Sequence, residues 1–510
     1  MTGLDSRTPV AVVGTGTMGQ GIAQVALIAG HPVLLHDAIP GRSASAAEQL
    51  TGRLDRLVEK GRLSGEARTA ALARLTPVAG LEELAGCGLV VEAVLEQLDV
   101  KQDLLRSLES VVGDDCLLAT NTSSLSVTAI AGALERPGRC VGLHFFNPAP
   151  LLPLVEVVSG FATDESAATR AYDTAKDWGK TPVRCADTPG FIVNRVARPF
   201  YAEALRVYEE QAADPATIDA VLRECGGFRM GPFELTDLIG QDVNEAVTRS
   251  VWEAFYQDPK FTPSLAQRRL VESGRLGRKS GHGWFDHHAQ ERPEPRTEPA
   301  APAVGSVVVS GHLGPAEPLV GLLAEAGVDV SRVDAGGGRP SIGLPGGGRL
   351  VLADGHGAVQ HAEGEVVRFD LSFDYGAATR IAVAADASAS PRTVEEAVGL
   401  FQALGKQVSL IDDVPGLIVA RTVAMLVDVA AEAVARGVAS EDDVDTAMRL
   451  GVNYPVALLD WARTTGHGHL VRTLRALHEH YPTGRYAPGR GLVRRARAEK
   501  DEVVKDEVVA

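Results

Sequence analysis

Two ionisable residues occur in apolar runs that otherwise have the composition of buried strands. His144 directly follows the run 140–143 and precedes the turn-forming segment 145–148. Glu156 lies in the middle of the run 154–158. A carboxylate is costly to bury alone. A carboxylate that is hydrogen-bonded to an imidazole fixes the tautomer of the imidazole and stabilises the imidazolium. Because histidine is the usual base at neutral pH, the pattern predicts a base, His144, supported by Glu156. The alternatives are a structural core histidine and an exposed glutamate on an edge strand.

A glycine-rich loop follows the apolar run 10–13 and opens a helical pattern. Its spacing, Gly-x-Gly-x-x-Gly, permits a tight turn, a close approach of backbone to a pyrophosphate, and close packing of helix on strand. Asp37 ends the next strand-like run, where its carboxylate accepts both ribose hydroxyls of NAD and repels the 2′-phosphate of NADP. We expect the nearby Arg42 to be solvated. The loop residues predicted to contact NAD are Gly14, Gly16, Thr17, Met18 and Gly19.

The elements around these residues alternate in type along the first part of the chain. Short β-branched runs and longer amphipathic stretches follow one another from residue 9 to residue 158, which is typical of a parallel sheet built from βαβ units. Between residue 187 and the Pro-rich segment that begins at residue 287, only helical patterns occur. We predict an α/β protein with a Rossmann-like doubly wound domain followed by an all-α domain, then a degenerate α/β segment and a second all-α domain.

An internal repeat supports this order of domains. At an offset of 226 residues, Asp187, Pro189 and Gly190 recur as Asp413, Pro415 and Gly416. The second copy has no Gly-x-Gly-x-x-Gly and no second His-Phe-Phe-Asn-Pro, so we predict that it carries no active site. The predicted boundaries are 1–186 for the Rossmann-like domain, with a helical insertion at about 41–75, 187–286 for the helical domain, 287–304 for a Pro-rich linker, 305–412 for the degenerate segment, 413–497 for the second helical domain and 498–510 for a charged tail.

Composition limits the classes of partner. The chain has 510 residues and a net charge of −16, which disfavours nucleic acid and anionic membranes. Its 5 cysteines form no Cys-x-x-Cys pair, and no apolar run is long enough to cross a membrane. We therefore expect a cytoplasmic protein. The histidine clusters at 287–288, 467–469 and 478–480 lack a converging set of ligands, so we expect them at the surface and predict no metal.

Six motifs together resemble the signatures of the L-3-hydroxyacyl-CoA dehydrogenases, and the resemblance spans about residues 9–286. The resemblance implies NAD-dependent oxidation of (S)-3-hydroxyacyl-CoA to 3-oxoacyl-CoA by an enzyme that forms a homo-oligomer or an internal pseudo-dimer. The motifs are Gly14-x-Gly16-x-x-Gly19 and the segments 91–96 (Val-Glu-Ala-Val-Leu-Glu), 121–125 (Asn-Thr-Ser-Ser-Leu), 142–148 (Gly-Leu-His-Phe-Phe-Asn-Pro), 154–157 (Leu-Val-Glu-Val) and 187–195 (Asp-Thr-Pro-Gly-Phe-Ile-Val-Asn-Arg).

The resemblance also implies roles for individual residues. It makes His144 the general base and Glu156 its partner, with Ser123 and Asn194 holding the substrate oxygen and the catalytic histidine. Lys60 falls on the position that contacts the CoA moiety. The positions that contact NAD in the family are Asp37, Glu96, Lys101, Ser123, Asn147 and Lys279.

The length of the acyl group stays open at this stage. We take a 3-hydroxybutyryl-CoA-type substrate first, and the alternatives are a 3-hydroxyadipyl-CoA dehydrogenase of phenylacetate breakdown and a catalytically idle NAD-binding or structural protein. A dicarboxylyl substrate requires a cation at the far end of the acyl pocket, for which Arg198 and Arg229 are the candidates. We expect both of these arginines at the surface.

Overall fold

The computed structural model describes residues 3–357 and 364–509, with side chains described as far as residue 500. Contacts group the chain into two compact units. The first comprises Met1–Arg195 with Arg436–Val452, and the second comprises Val196–Ala435 with Asn453–Ala510. The domain boundaries given above remain a prediction, because these units follow contacts across the chain and not its linear order.

The first unit contains an eight-stranded sheet in the order β3-β2-β1-β4-β5-β6-β7-β8. Neighbouring strands are parallel except β6 and β7, which are antiparallel. Of the eight, β3 and β8 have no counterpart among the predicted strands. The strands are β1 (Val10–Val13), β2 (Val33–His36), β3 (Leu75–Pro77), β4 (Leu89–Glu92), β5 (Leu117–Thr120), β6 (Cys140–Phe145), β7 (Leu154–Ser159) and β8 (Thr181–Ala186).

Helices cover this sheet, and the predicted helical insertion forms a helical pair. In α2 (Arg42–Glu59) the residues Ala46, Leu50 and Leu54 recur every fourth position, and this stripe is buried in the core of the sheet. The chain then turns at Gly61, which has a φ of 65°, a conformation that favours glycine. The other helices here are α1 (Thr17–Ile28), α3 (Gly65–Leu72), α4 (Leu98–Glu109), α5 (Val127–Ala131), α6 (Glu165–Asp177) and α7 (Val193–Val196).

Helices alone follow in the second unit as far as the linker, as the sequence predicts. The second of them illustrates the local signals, because Asp214 accepts a hydrogen bond from the backbone N–H of Thr217 and Pro215 opens the first turn. The helices are α8 (Arg198–Glu209), α9 (Pro215–Glu224), α10 (Pro232–Ile239), α11 (Gln241–Ala254) and α12 (Leu265–Glu272). The Pro-rich linker is extended, and Glu298 donates its N–H to the carbonyl of Val408.

A second sheet, of seven strands, follows the linker in the order β10-β9-β11-β12-β13-β14-β15. Two helices, α13 (Pro318–Glu325) and α14 (Pro391–Ala403), accompany this sheet. The strands are β9 (Ser306–Ser310), β10 (Asp329–Val333), β11 (Ser341–Gly343), β12 (Arg349–Leu352), β13 (Val366–Phe369), β14 (Arg380–Ala385) and β15 (Gln407–Ile411).

The chain closes with a second set of helices, α15 (Val419–Ala435), α16 (Glu441–Val452), α17 (Leu458–Thr465), α18 (His467–His480) and α19 (Arg490–Val509). Among the helices of the described chain, none combines the length and apolar character needed to cross a membrane. His467 is 7% exposed, so the expected surface position of the 467–469 cluster is wrong for this residue.

Each copy of the repeat supplies a helix that packs on the sheet of the other copy. In the first unit, α16 of the second copy packs against β7 and β8 of the first sheet. In the second unit, α9 of the first copy packs against β14 of the second sheet, where Arg380 donates to Glu224 at 2.8 Å. Each sheet is therefore covered in part by a helix from the opposite half of the chain.

Candidate active site

His144 and Glu156 face each other across the antiparallel strands β6 and β7. The imidazole Nδ1 lies 2.6 Å from the carboxylate Oε2, and the two residues are 5% and 0% exposed. The rings of Phe146 and Phe191 have their centroids 4.5 and 5.7 Å from the imidazole, so the pair lies in apolar surroundings. With a carboxylate at Nδ1, the proton of the neutral ring is assigned to that nitrogen, and Nε2 is left with the free lone pair.

The second carboxylate oxygen of Glu156 binds backbone. Oε1 accepts the N–H groups of Ile192 and Val193, each at 2.9 Å, and these residues lead into α7, which carries Asn194. Because β7 lies between β6 and β8 and the glutamate is fully buried, the alternative of an exposed edge-strand glutamate is wrong. One side chain thus holds both the imidazole and the segment that contains the asparagine.

Ser123 and Asn194 lie beside each other. The amide Nδ2 of Asn194 lies 3.4 Å from the carbonyl oxygen of Ser123. Glu96 organises the serine loop, since its Oε1 accepts the N–H groups of Ser123 at 2.9 Å and Ser124 at 3.1 Å. Burial opposes the charge of Glu96, but the Lys101 ammonium and these hydrogen bonds outweigh burial and hold its pKa below the usual range.

Two further polar residues support the site, and the sequence analysis missed both. Glu92 ends β4 fully buried, and its carboxylate oxygens each lie 2.9 Å from the ammonium of Lys101, which is 1% exposed. Asn121 follows β5 and accepts the N–H of Phe145, the residue after His144, at 2.9 Å. The signal for Glu92 was the same as for Glu156, an acid in an apolar strand.

The glycine loop has the shape that a dinucleotide requires. Gly14 has a φ of 92°, and a Cβ there would lie 2.6 Å from the carbonyl oxygen of Ala93. A Cβ on Gly19 would lie 1.8 Å from the Gly14 carbonyl oxygen, whereas one on Gly16 would meet no atom within 4 Å. Gly16 also caps α1 without a side-chain hydrogen bond, so the first N–H groups of the helix face an open space.

Asp37 ends the neighbouring strand β2 next to this loop. Its Oδ2 accepts the N–H of Thr15 at 2.9 Å and the Thr15 hydroxyl at 2.7 Å. Burial opposes the charge of Asp37, but the bonds from Thr15 outweigh burial and lower its pKa. Arg42 is not simply solvated, because its Nε lies 3.9 Å from the same oxygen. The open helix start and the adjacent carboxylate fit NAD.

Three family profiles match this chain. The "3-hydroxyacyl-CoA dehydrogenase, NAD binding domain" matches residues 9–188, and the "3-hydroxyacyl-CoA dehydrogenase, C-terminal domain" matches twice, at 190–287 and 416–504. The "3-hydroxybutyryl-CoA dehydrogenase reduced Rossmann-fold domain" matches residues 350–415. The chain belongs to the 3-hydroxyacyl-CoA dehydrogenase family. The second match of the C-terminal domain agrees with the internal repeat, and the third profile agrees with the degenerate segment.

Two relatives of similar length are named after different acyl-CoA substrates. The 3-hydroxyadipyl-CoA dehydrogenase of Escherichia coli K12 is 44% identical over 96% of this chain and 97% of its own. A crystal structure of a 3-hydroxybutyryl-CoA dehydrogenase from Escherichia coli K12 has a TM-score of 0.88 and 43% identity, covering 98% of this chain and 100% of its own. The mitochondrial hydroxyacyl-coenzyme A dehydrogenase of Sus scrofa is 38% identical over 54% of this chain and 90% of its own.

Membership of the 3-hydroxyacyl-CoA dehydrogenase family confirms the predicted enzyme class, the reaction class, the NAD cofactor and the acyl-CoA substrate class. Of the other residues predicted from the family, Asn147 is exposed just after β6, and Lys60 ends α2. Lys279 lies in the second unit, where its ammonium is 2.6 Å from Asp242.

The expected surface position of Arg198 is wrong. Arg198 is 5% exposed, donates to the Thr248 hydroxyl at 3.1 Å and lies over the ring of Tyr201. The prediction failed because α8 is buried on several faces, which its sequence does not reveal. Arg229 is exposed, as expected.

Proposed function

We propose that the protein oxidises (S)-3-hydroxyacyl-CoA at C3 with His144 as the general base. The observation that carries this proposal is the buried pair in which Nδ1 of His144 lies 2.6 Å from Glu156. In that arrangement Nε2 accepts the proton of the C3 hydroxyl, and the carboxylate stabilises the imidazolium that forms. When bound, NAD accepts the hydride that leaves C3.

The other polar residues act on the substrate oxygen and on the geometry. The Ser123 hydroxyl donates a hydrogen bond to the oxygen at C3, and Asn194, held next to Ser123, orients the base and that oxygen. The loop of Gly14, Gly16, Thr17, Met18 and Gly19 holds the pyrophosphate, and Asp37 accepts the ribose hydroxyls. Glu96, Lys101, Asn147 and Lys279 complete the proposed cofactor contacts, and Lys60 contacts the CoA moiety.

For the acyl group we propose a 3-hydroxybutyryl-type chain first and 3-hydroxyadipyl as the second candidate. The second is supported by the Escherichia coli 3-hydroxyadipyl-CoA dehydrogenase, which shares almost the whole length of this chain. The ratio of kcat/KM for 3-oxoadipyl-CoA to that for acetoacetyl-CoA distinguishes them. Arg198→Met or Arg229→Met lowers this ratio if that arginine recognises the distal carboxylate, and the matched control is Arg392→Met, whose side chain is 70% exposed.

The proposed chemistry is tested by NADH consumption with acetoacetyl-CoA. We expect His144→Gln to lower kcat by about 10²–10⁴-fold while the Kd of NADH, from its fluorescence, stays unchanged. The matched control is His312→Gln, since the side chain of His312 is 70% exposed. A His144→Gln variant with the wild-type kcat would overturn the proposal.

We also propose that this packing of each copy's helix on the other copy's sheet makes the chain an internal pseudo-dimer. Its support is that α16 covers β7 and β8 while α9 covers β14, so each half of the chain supplies a helix to the other sheet. Light scattering tests whether further association occurs: the proposal expects one chain per particle. The cytoplasmic location stays a prediction.

A further inference from the structure

Helix α16 belongs by sequence to the second half and by contact to the first unit. Residues Arg436–Val452 group with Met1–Arg195, and α16 packs against β7 and β8. Just before the helix, the carbonyl of Val438 accepts the N–H of Ala186 at 2.7 Å. Because β8 is an edge strand of the first sheet, this bond covers a backbone group that would otherwise lie open.

The closest approach of α16 to the candidate active site is at Gly451. A Cβ on this residue would lie 2.8 Å from Cδ2 of Leu154 and 3.0 Å from Cγ2 of Val193. Leu154 is fully buried and Val193 is 3% exposed, so a side chain displaced by an added methyl group moves within the packed interior, where changes of volume are felt. The close packing of α16 against Leu154 and Val193 therefore depends on having a glycine at position 451.

Both neighbours of Gly451 are joined directly to the proposed catalytic machinery. Leu154 precedes Glu156 by two positions in β7, so their side chains share one face of the sheet. Val193 donates its N–H to Glu156 at 2.9 Å and immediately precedes Asn194. A displacement of either neighbour is transmitted to the carboxylate that holds the imidazole.

We propose that α16, through Gly451, is a positioning element for the His144–Glu156 pair and Asn194. The second half of the chain, which lacks its own histidine–glutamate pair, then contributes to catalysis in the first. The inference rests on the proposed function, because it assigns α16 an effect on that reaction.

The test uses the full chain with Gly451→Ala. Valine is stiff about χ1, so the added methyl group displaces the backbone at Val193 and not only its side chain. We expect kcat to fall about tenfold, because displacements of up to 1 Å cost as much as about 10²-fold. The Kd of NADH stays unchanged, and the unfolding temperature falls only slightly, because the gain in helix propensity from glycine to alanine offsets part of the cost of overpacking.

Two further variants separate positioning from general packing. Gly321→Ala in α13 is the matched control, because a Cβ there meets no atom within 4 Å, and it keeps the wild-type kcat. Val193→Ala placed in the Gly451→Ala background removes the contacts with the valine methyl groups and leaves the one with Leu154, so kcat recovers in part, to above that of Gly451→Ala alone.

The outcomes distinguish the two proposals. A Gly451→Ala variant with the wild-type kcat, or a double variant with no recovery, overturns the positioning role while the proposed function stands. Parallel losses of unfolding temperature and NADH affinity would assign Gly451 to stability alone and also overturn it. A wild-type chain inactive with both acetoacetyl-CoA and 3-oxoadipyl-CoA overturns the proposed function itself.

Discussion

Asp370 holds in the second half the position that His144 holds in the first. The two lie 226 residues apart, and the N–H of Asp370 donates to the carbonyl of Ala382, which lies 226 residues after Glu156. Where the first sheet pairs a histidine with a glutamate, the second therefore pairs an aspartate with an alanine.

The Asp370 carboxylate keeps one of the two functions of Glu156. Its Oδ2 accepts the N–H groups of Ile418 at 3.0 Å and Val419 at 2.7 Å, and its Oδ1 accepts that of Ala420 at 2.9 Å. These residues lie at the start of α15, which is equivalent to α7, the helix whose first N–H groups Glu156 accepts. The second copy thus holds its helix with an acid on the other strand of the pair, at the position of His144, and has no histidine there.

Asp370→Ala should therefore destabilise the protein without removing activity. It leaves four buried N–H groups without their acceptor, the fourth being that of Leu371, and we expect the free energy of unfolding to fall by about 3–5 kcal/mol. Urea unfolding measures the loss, and acetoacetyl-CoA turnover of the folded variant gives kcat. A large drop in kcat at unchanged stability would contradict the structural role.

Glu156→Gln should lower kcat far more than it lowers the affinity for NADH. An amide keeps one oxygen for the N–H groups of Ile192 and Val193 but places an N–H₂ donor against His144, which favours the wrong tautomer. We expect a fall of about 10²–10⁴-fold in kcat. Steady-state kinetics and NADH fluorescence measure the two quantities, and equal losses in both would disprove the assignment.

Asp37→Ser should reduce the preference for NAD. The variant loses a charged acceptor for the ribose hydroxyls, so we expect the Kd of NADH to rise about tenfold or more. Arg42, 3.9 Å from the lost carboxylate, becomes available to a 2′-phosphate. The ratio of kcat/KM for NADPH to that for NADH should rise in Asp37→Ser and fall back when Arg42→Ala is added.

Lys101→Met should lower the stability of the protein as well as its affinity for NADH. The substitution leaves the fully buried carboxylate of Glu92 without its ammonium, a change that typically costs about 3–5 kcal/mol. Adding Glu92→Gln should recover part of that loss. If Lys101→Met instead keeps its unfolding midpoint and loses only NADH affinity, the lysine contacts the cofactor directly.

Acid should destabilise the protein through His469. Burial and the cations Arg472 and Arg339 lower the pKa of His469 to about 4, against 6.5 for an ordinary histidine. The imidazole therefore takes up a proton near pH 6.5 in the unfolded chain and only near pH 4 in the folded chain. The contribution of neutral His469 to the free energy of unfolding is intact above pH 6.5 and is lost as the pH falls to 4. His469→Gln should reduce the loss by about 2 kcal/mol, measured by urea unfolding at both pH values, with His312→Gln unchanged.

Local patterns were enough to predict the fold class and the proposed base. His144, Glu156 and the glycine loop were found because each is a polar or flexible residue at the end or in the middle of an apolar run, where burial has few explanations. The strands β3 and β8 were missed because each lies at an edge of the sheet and has a weaker apolar pattern. Glu92 was missed although its signal was present.

The sequence by itself determined the fold class, the duplication and the residues proposed for the site, because these depend on residue type and on short spacings. Only the tertiary structure decided that Glu156 also holds the start of α7, that Arg198 is buried, and that Gly451 reaches the strand that contains Glu156. Such contacts join residues tens to hundreds of positions apart. They arise from the packing of whole helices and strands, which local periodicity does not encode.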